Sequence, residues 1–293
     1  MTIFKLVASS TVVVVGVLVS VTVGAAELHM DPSGSGRGAV FEGTIEAGDF
    51  ARFKDFILKN GRVTDIYLAS PGGNVAEAMK IGMLVRLLKL STVVPSKQLT
   101  NQGRDLAAAR HDLQDSKDYT CTSACFFIFV AGIHRSSSDR ENHGPAIIGI
   151  HSPTLSQNDL SKVAPNLATA ANDRIRTIIE SYLKVMDVPA KYVEEIYSAP
   201  TSRVRWIRND EFESNFAGFI PELNALVKAK CGTHPDRAEP SHQPPKVNVQ
   251  VQQDCETRIR EDLASSAFKD AAKGQNDENS QSMLNSLPQG ASN

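Results

Sequence analysis

Two side chains in this sequence, Ser123 and His151, have types and positions suited to nucleophilic chemistry. A third segment, Ser70-Pro71-Gly72-Gly73-Asn74, offers the backbone that such chemistry needs. A serine hydroxyl becomes a nucleophile when it is exposed on a rigid element, close to a base and to backbone donors. Ser123 stands in Cys121-Thr122-Ser123-Ala124-Cys125, where the buried run Phe126-Phe127-Ile128-Phe129-Val130 begins and a helix is expected. His151 closes the apolar segment Ile147-Ile148-Gly149-Ile150, a strand end of the kind that lines sites in α/β sheets. Paired glycines at a strand-to-helix turn let the backbone approach a ligand and present N–H groups to a developing oxyanion. Each feature also has a plain structural reading. The glycines fit an ordinary tight turn, Ser123 fits a helix N-cap, and His151 fits a satisfied structural histidine.

The elements that must position these residues follow from hydrophobic period. Residues 39–45 read as a strand, 50–58 as an amphipathic helix, and 63–69 as a second strand ending at the Ser-Pro-Gly-Gly turn. Helical spacing resumes through Ala76, Met79, Met83, Val85 and Leu88, and 91–95 is a third short strand. Strand–helix alternation predicts a mostly parallel sheet covered by helices. Residues 96–118 are polar and charged and read as an exposed insertion, and 136–144 as a polar loop. Residues 146–150 are a strand, 164–186 a long helix, and a shorter helix follows Pro189 to about Tyr197. His111, His134 and His143 read as solvated.

In combination, Ser-Pro-Gly-Gly after a strand, a serine at a helix start and a histidine at a strand end resemble the Clp protease proteolytic subunit family. The resemblance spans about residues 37–225 and includes Trp206-Ile207 through Phe216-Ala217-Gly218-Phe219-Ile220 as the closing helix and turn. It implies the crotonase/Clp-protease-type α/β spiral of ββα units, shared with signal peptide peptidase A and enoyl-CoA hydratases. It further implies Ser123 as nucleophile, His151 as general base, and oxyanion donors at Gly72 or Gly73 and at Ala124. A homo-oligomer is consistent with it. No metal or organic cofactor is implied.

The sequence departs from that family where an acid should orient the histidine. The matching position is Val204, within Ser202-Arg203-Val204-Arg205. Asp210 and Glu211 match the start of the following helix, and Asp173 lies on the long helix. Losing the acid costs orders of magnitude in triad enzymes. A Ser-His dyad, a substitute acid and an inactive relative all fit.

The ends complete the organisation. Lys5, the apolar run Val12 to Val23 and the small residues Gly24-Ala25-Ala26 read as a signal peptide over 1–26, cleaved after Ala25 or Ala26. An uncleaved anchor is the alternative. The expected compartment is the periplasm or the exterior, where disulfides are permitted. Of the four cysteines, Cys231 with Cys255 is the favoured pair, while Cys121 and Cys125 read as tightly packed residues or a second bridge. Cysteine and histidine spacing does not suit a metal site. The main domain is expected over 37–230, a linker over 231–253, and a polar helix with a disordered tail over 254–293.

A net charge of −2 provides no basic face for nucleic acid. An ATP-driven unfoldase partner is not expected outside the cytoplasm, and acyl-CoA chemistry is disfavoured for the same reason. The leading expectation is a serine peptidase-like acyl hydrolase with a peptide or protein substrate. The alternative is an inactive envelope protein that binds peptides or protein partners in the same groove.

Overall fold

The computed structural model describes residues 26–32, 36–96, 120–138, 146–153, 165–232 and 249–272. The expected signal peptide up to residue 25, nearly all of the 96–118 insertion and the tail beyond 272 lie outside the described residues.

Parallel strands joined by helices form the centre of this mixed α/β chain. The order along the chain begins β1 (Glu27–Met30), β2 (Gly38–Glu42), α1 (Asp49–Lys59), β3 (Asp65–Ala69), α2 (Val75–Leu87) and β4 (Ser91–Val94). It continues with β5 (Cys121–Thr122), α3 (Cys125–Phe129), β6 (His134–Ser137), β7 (Ile148–Ile150), α4 (Pro165–Val185) and α5 (Lys191–Ser198). It closes with β8 (Arg205–Trp206), α6 (Asn209–Asn215), β9 (Gly218–Phe219), α7 (Pro221–Cys231) and α8 (Val249–Ala272). One sheet runs β1-β2-β3-β4-β6-β9 and a smaller one runs β5-β7-β8. In the larger sheet β2, β3, β4 and β6 are parallel, with antiparallel strands at both edges.

Side chains satisfy the starts of α1 and α2. Asn74 caps α2 by accepting from the Glu77 N–H at 3.0 Å. Glu77 is buried, and its carboxylate reaches across to accept from the Gly48 and Phe50 N–H groups that open α1. A buried charge is tolerable there because it has those donors and Lys80.

The short helix α3 is the core of the domain, and all five of its residues are buried. Thr92 donates to the Phe129 carbonyl at 2.7 Å, and Tyr182 of α4 donates to the Phe127 carbonyl at 2.6 Å. Just past the helix, Arg86 of α2 donates to the Ala131 carbonyl at 2.8 Å. A helix this short leaves most of its carbonyls without intrahelical partners, so neighbouring elements must supply donors. Burial of the Tyr182 hydroxyl raises its pKa, keeping it a neutral donor.

Four expectations from sequence are corrected. The polar, glycine-rich segment 27–36 reads in sequence as a flexible lead, but Glu27–Met30 forms β1 and pairs with β2. The loop expected over 136–144 begins as strand β6, which is buried at Arg135, Ser136 and Ser137. Its polar residues face interior partners, and the Arg135 guanidinium donates to the Met186 carbonyl at 2.5 Å. Polar composition masked the strand. His134 is not merely solvated; its ring packs on Phe219 with centroids 4.6 Å apart. The linker expected over 231–253 is shorter, since Cys231 ends α7 and α8 already begins at Val249. The favoured pair Cys231–Cys255 is bonded and joins these two helices. Arg260 of α8 reaches Asp65 at the start of β3, so this helix docks on the sheet.

Gly82 of α2 tests the packing at the α2–α3–α4 junction. A Cβ there would lie 1.9 Å from the Tyr182 hydroxyl and 2.9 Å from the Phe127 carbonyl. Gly82→Ala is expected to destabilise the fold by about 2 kcal/mol in urea unfolding, through overpacking and loss of the Tyr182 bond.

Candidate active site

The site is assembled by β5 and β7. They pair in parallel, Cys121 with Ile148 and Thr122 with Gly149. The Ser123 N–H continues the ladder by donating to the Gly149 carbonyl at 3.0 Å. Ser123 and His151 therefore emerge at the same end of adjacent strands.

Ser123 has φ of 55°, in the left-handed region that non-glycine residues seldom occupy. The chain turns there from β5 into α3. Ala124, in helical conformation, is the residue before α3, and no side chain caps that helix. This removes the N-cap reading of Ser123: its hydroxyl is not bonded to the helix start. Among the described residues the Ser123 hydroxyl has no hydrogen bond. A strained strand-to-helix turn that leaves a serine hydroxyl unspent is the backbone device of nucleophile elbows.

The Ser-Pro-Gly-Gly turn is stitched on both sides. Toward β5, the Ser70 N–H donates to Thr120 and the Thr122 N–H to Ser70, while the Thr122 hydroxyl donates to the Pro71 carbonyl at 3.0 Å. Toward the segment after β2, Ile45 donates to Gly72 and Asn74 donates to Ile45, both at 2.8 Å. Glycine is required at both central positions. A Cβ on Gly72 would lie 2.6 Å from the Ser123 Cβ and 2.9 Å from the Ala124 nitrogen. One on Gly73 would lie 2.2 Å from the Ile45 carbonyl oxygen. Both have positive φ, 103° and 133°.

The alternative between Gly72 and Gly73 as donor is narrowed by their hydrogen bonds. The Gly72 N–H is spent on the Ser70 hydroxyl at 3.1 Å. Among the described residues, neither the Gly73 nor the Ala124 N–H has an acceptor.

His151 is half-buried, and its Nδ1 lies 2.9 Å from the Ser152 carbonyl oxygen. A carbonyl only accepts, so Nδ1 carries the proton and Nε2 of the neutral ring holds a free lone pair. No hydrogen bond joins His151 to Ser123. The structure thus brings the two to one edge without a hydrogen bond between them.

β8 explains the missing acid. It pairs antiparallel with β7, Gly149 with Trp206 and Ile150 with Arg205, so the next step of the register sets Val204 opposite His151. The Val204 side chain fills the space beside Gly149, where a Cβ would meet its Cγ1 at 2.3 Å. The position opposite His151 therefore carries an aliphatic side chain. Asp173 is exposed on α4, and Asp210 is paired with Arg208. Glu211 accepts from Tyr192 and Arg205. Among the described residues, none of these three carboxylates bonds to His151.

Trp206 is a residue that sequence reasoning used only as a marker of the closing segment. It is 51% exposed, the only tryptophan, and lies on the His151 face of the small sheet. Its signal in sequence is an apolar aromatic on a two-residue edge strand beside Arg205.

Cys121 and Cys125 are bonded to each other and buried, so of the two readings the structure has the second bridge. Among the described residues no cluster of His, Cys, Asp or Glu is arranged to hold a metal ion.

No protein-family model and no curated protein matches the chain. Among the solved structures similar to it are two of one protease. A serine-to-alanine mutant of the 1510-N membrane-bound stomatin-specific protease has 17% identity and a TM-score of 0.37, covering 67% of this chain and 82% of that one. A lysine-to-alanine mutant of the same protease, in complex with a substrate peptide, has 15% identity and a TM-score of 0.36, covering 75% and 94%. At that level of likeness neither assigns a role to any residue here.

Arg205 anchors β8 against the site. Burial pushes the Glu211 carboxyl up, but the Tyr192 hydroxyl and the Arg205 guanidinium push it down harder, leaving its pKa below the ordinary 4.5. A lowered folded-state pKa means stability that is present above 4.5 and lost as pH falls through the folded value. Glu211→Gln is expected to lower the Tm at neutral pH. The gap from wild type should close in acid, below pH 4.5, as read by thermal unfolding across pH.

Proposed function

We propose that this chain is a serine peptidase-like acyl hydrolase with the crotonase/Clp-type spiral fold, acting in the periplasm or outside the cell. The observation that carries the reading is Ser123, in left-handed backbone between β5 and α3, at the same sheet edge as His151.

In this reading the Ser123 hydroxyl attacks a peptide or ester carbonyl. His151 Nε2 takes the serine proton and returns it to the leaving group. The Gly73 and Ala124 N–H groups, unspent in the folded chain, hold the oxyanion. The Ser152 carbonyl substitutes for the acid in one respect, because it fixes the Nδ1–H tautomer. It carries no full charge, so it stabilises imidazolium less than a carboxylate would. The expected enzyme is therefore slow. A rotation of the His151 side chain on substrate binding completes the Ser123 contact, since catalytic hydrogen bonds commonly tighten only in the complex.

A second reading is favoured by one observation, Val204 opposite His151. There the groove binds peptides without cleaving them.

Fluorophosphonate labelling separates the two. The wild-type protein is expected to label at Ser123, Ser123→Ala not at all, and His151→Ala about a hundredfold more slowly. A folded wild type that resists labelling removes the hydrolase. Trp206 supplies a companion signal. A peptide in the groove is expected to shift its emission under either reading, so a shift without labelling supports the binding protein.

A further inference from the structure

We propose that the Cys121–Cys125 disulfide is a positioning element for Ser123, so that the site reaches full reactivity only after the bond forms. The inference rests on Ser123 being the nucleophile.

The bond spans Cys121 of β5 and Cys125 of α3, four residues apart, and Ser123 is the central residue of the loop it closes. Both cysteines are fully buried. Outside glycine, positive φ occurs among the described residues only at Lys89, Ser123 and Asp187. Lys89 and Asp187 follow helices α2 and α4, where such a conformation is a common exit. Ser123 instead enters a helix, where the left-handed turn has no capping role and must be held from outside.

Two hydrogen bonds hold it: the Ser123 N–H to the Gly149 carbonyl, and the Phe126 N–H to the Ser123 carbonyl, at 3.0 and 3.1 Å. Neither fixes how the strand and helix lie relative to one another across the turn. The disulfide does, by tying the residue two before Ser123 to the residue two after it. The Gly72 backbone packs against the Ser123 Cβ from the other side. Without the covalent tie, the turn can relax toward ordinary helical φ, swinging the hydroxyl and the Ala124 N–H away from the Gly73 N–H.

The two bridges have different uses. Cys231–Cys255 closes a separation of 24 residues between α7 and α8, whereas Cys121–Cys125 closes only 4. Loop-closure stabilisation grows with loop length, so the short bridge adds the less to global stability. Its effect is local geometry at Ser123. Formation converts two thiols to one disulfide, passing two electrons and two protons to a disulfide oxidant that is itself reduced to two thiols. Such oxidants act in the compartments to which export leads. A chain folded among thiol reductants would hold its nucleophile off-line until it is exported.

The test measures the rate and final extent of fluorophosphonate labelling at Ser123, across pH. Cys121→Ser with Cys125→Ser is expected to label to the same extent as wild type, at least tenfold more slowly, with unchanged pH midpoint. Cys231→Ser with Cys255→Ser is expected to label at the wild-type rate. Slowing at full extent separates positioning from unfolding, which would reduce extent. Equal rates for wild type and the first variant overturn the proposal while leaving the hydrolase intact. If that variant does not fold, wild type refolded with all thiols reduced is compared before and after oxidation by glutathione disulfide. A gain of tenfold or more is expected, and no gain overturns the proposal. Absence of labelling in fully oxidised wild type overturns the hydrolase reading itself, and this proposal with it.

Discussion

The hydrogen bond from the Ser123 N–H to the Gly149 carbonyl is the contact on which the site depends. It extends the β5–β7 ladder by one residue beyond Thr122 and fixes where the chain may turn into α3. Without it, the parallel pairing would end at Thr122, and Ser123 would be free to join the helix. With it, the chain leaves the ladder and turns into α3 at Ser123. Backbone strain of this sort persists only when the surroundings over-determine it. Here the surroundings are the ladder, the α3 start, the Gly72 backbone and the Cys121–Cys125 bond.

From that point the rest of the domain reads as support. The turn after β3 can reach Ser123 because Gly72 has no side chain, and it stays there because Ser70, Thr122 and Ile45 hold it from two sides. The helix that leaves the site is too short to satisfy its own carbonyls, so Thr92, Arg86 and Tyr182 supply donors from β4, α2 and α4. Each of those elements therefore has a defined position relative to α3, and the packing of the core and the geometry of the site are one problem. Tyr182 shows this directly, since its hydroxyl fills the space that Gly82 leaves open.

The small sheet carries both the strength and the weakness of the candidate site. β7 presents His151, and β8 presents the residues across from it, which are an aliphatic Val204, a paired Arg205 and an exposed Trp206. Arg205 engages Glu195 and Glu211, so both carboxylates are bound to a guanidinium. The histidine is left with the Ser152 carbonyl as the partner of Nδ1. That arrangement sets the tautomer and supplies no full charge.

The sequence alone determined the elements with strong period and the order of the chemical segments. Residues 50–58 and 76–88 were legible as helices because their apolar spacing is helical, and the Gly72-Gly73 turn was legible because a strand ends there. The strand over His134–Ser137 was hidden, because its polar side chains are buried against partners distant in sequence, and no local pattern records such partners. β1 was hidden because a four-residue edge strand depends on its pairing with β2. The bond between Cys121 and Cys125, the left-handed backbone of Ser123, and the choice of Gly73 over Gly72 as the unspent donor were decided only by tertiary structure. Each depends on the backbone conformation that the fold imposes on this segment, which sequence spacing does not record.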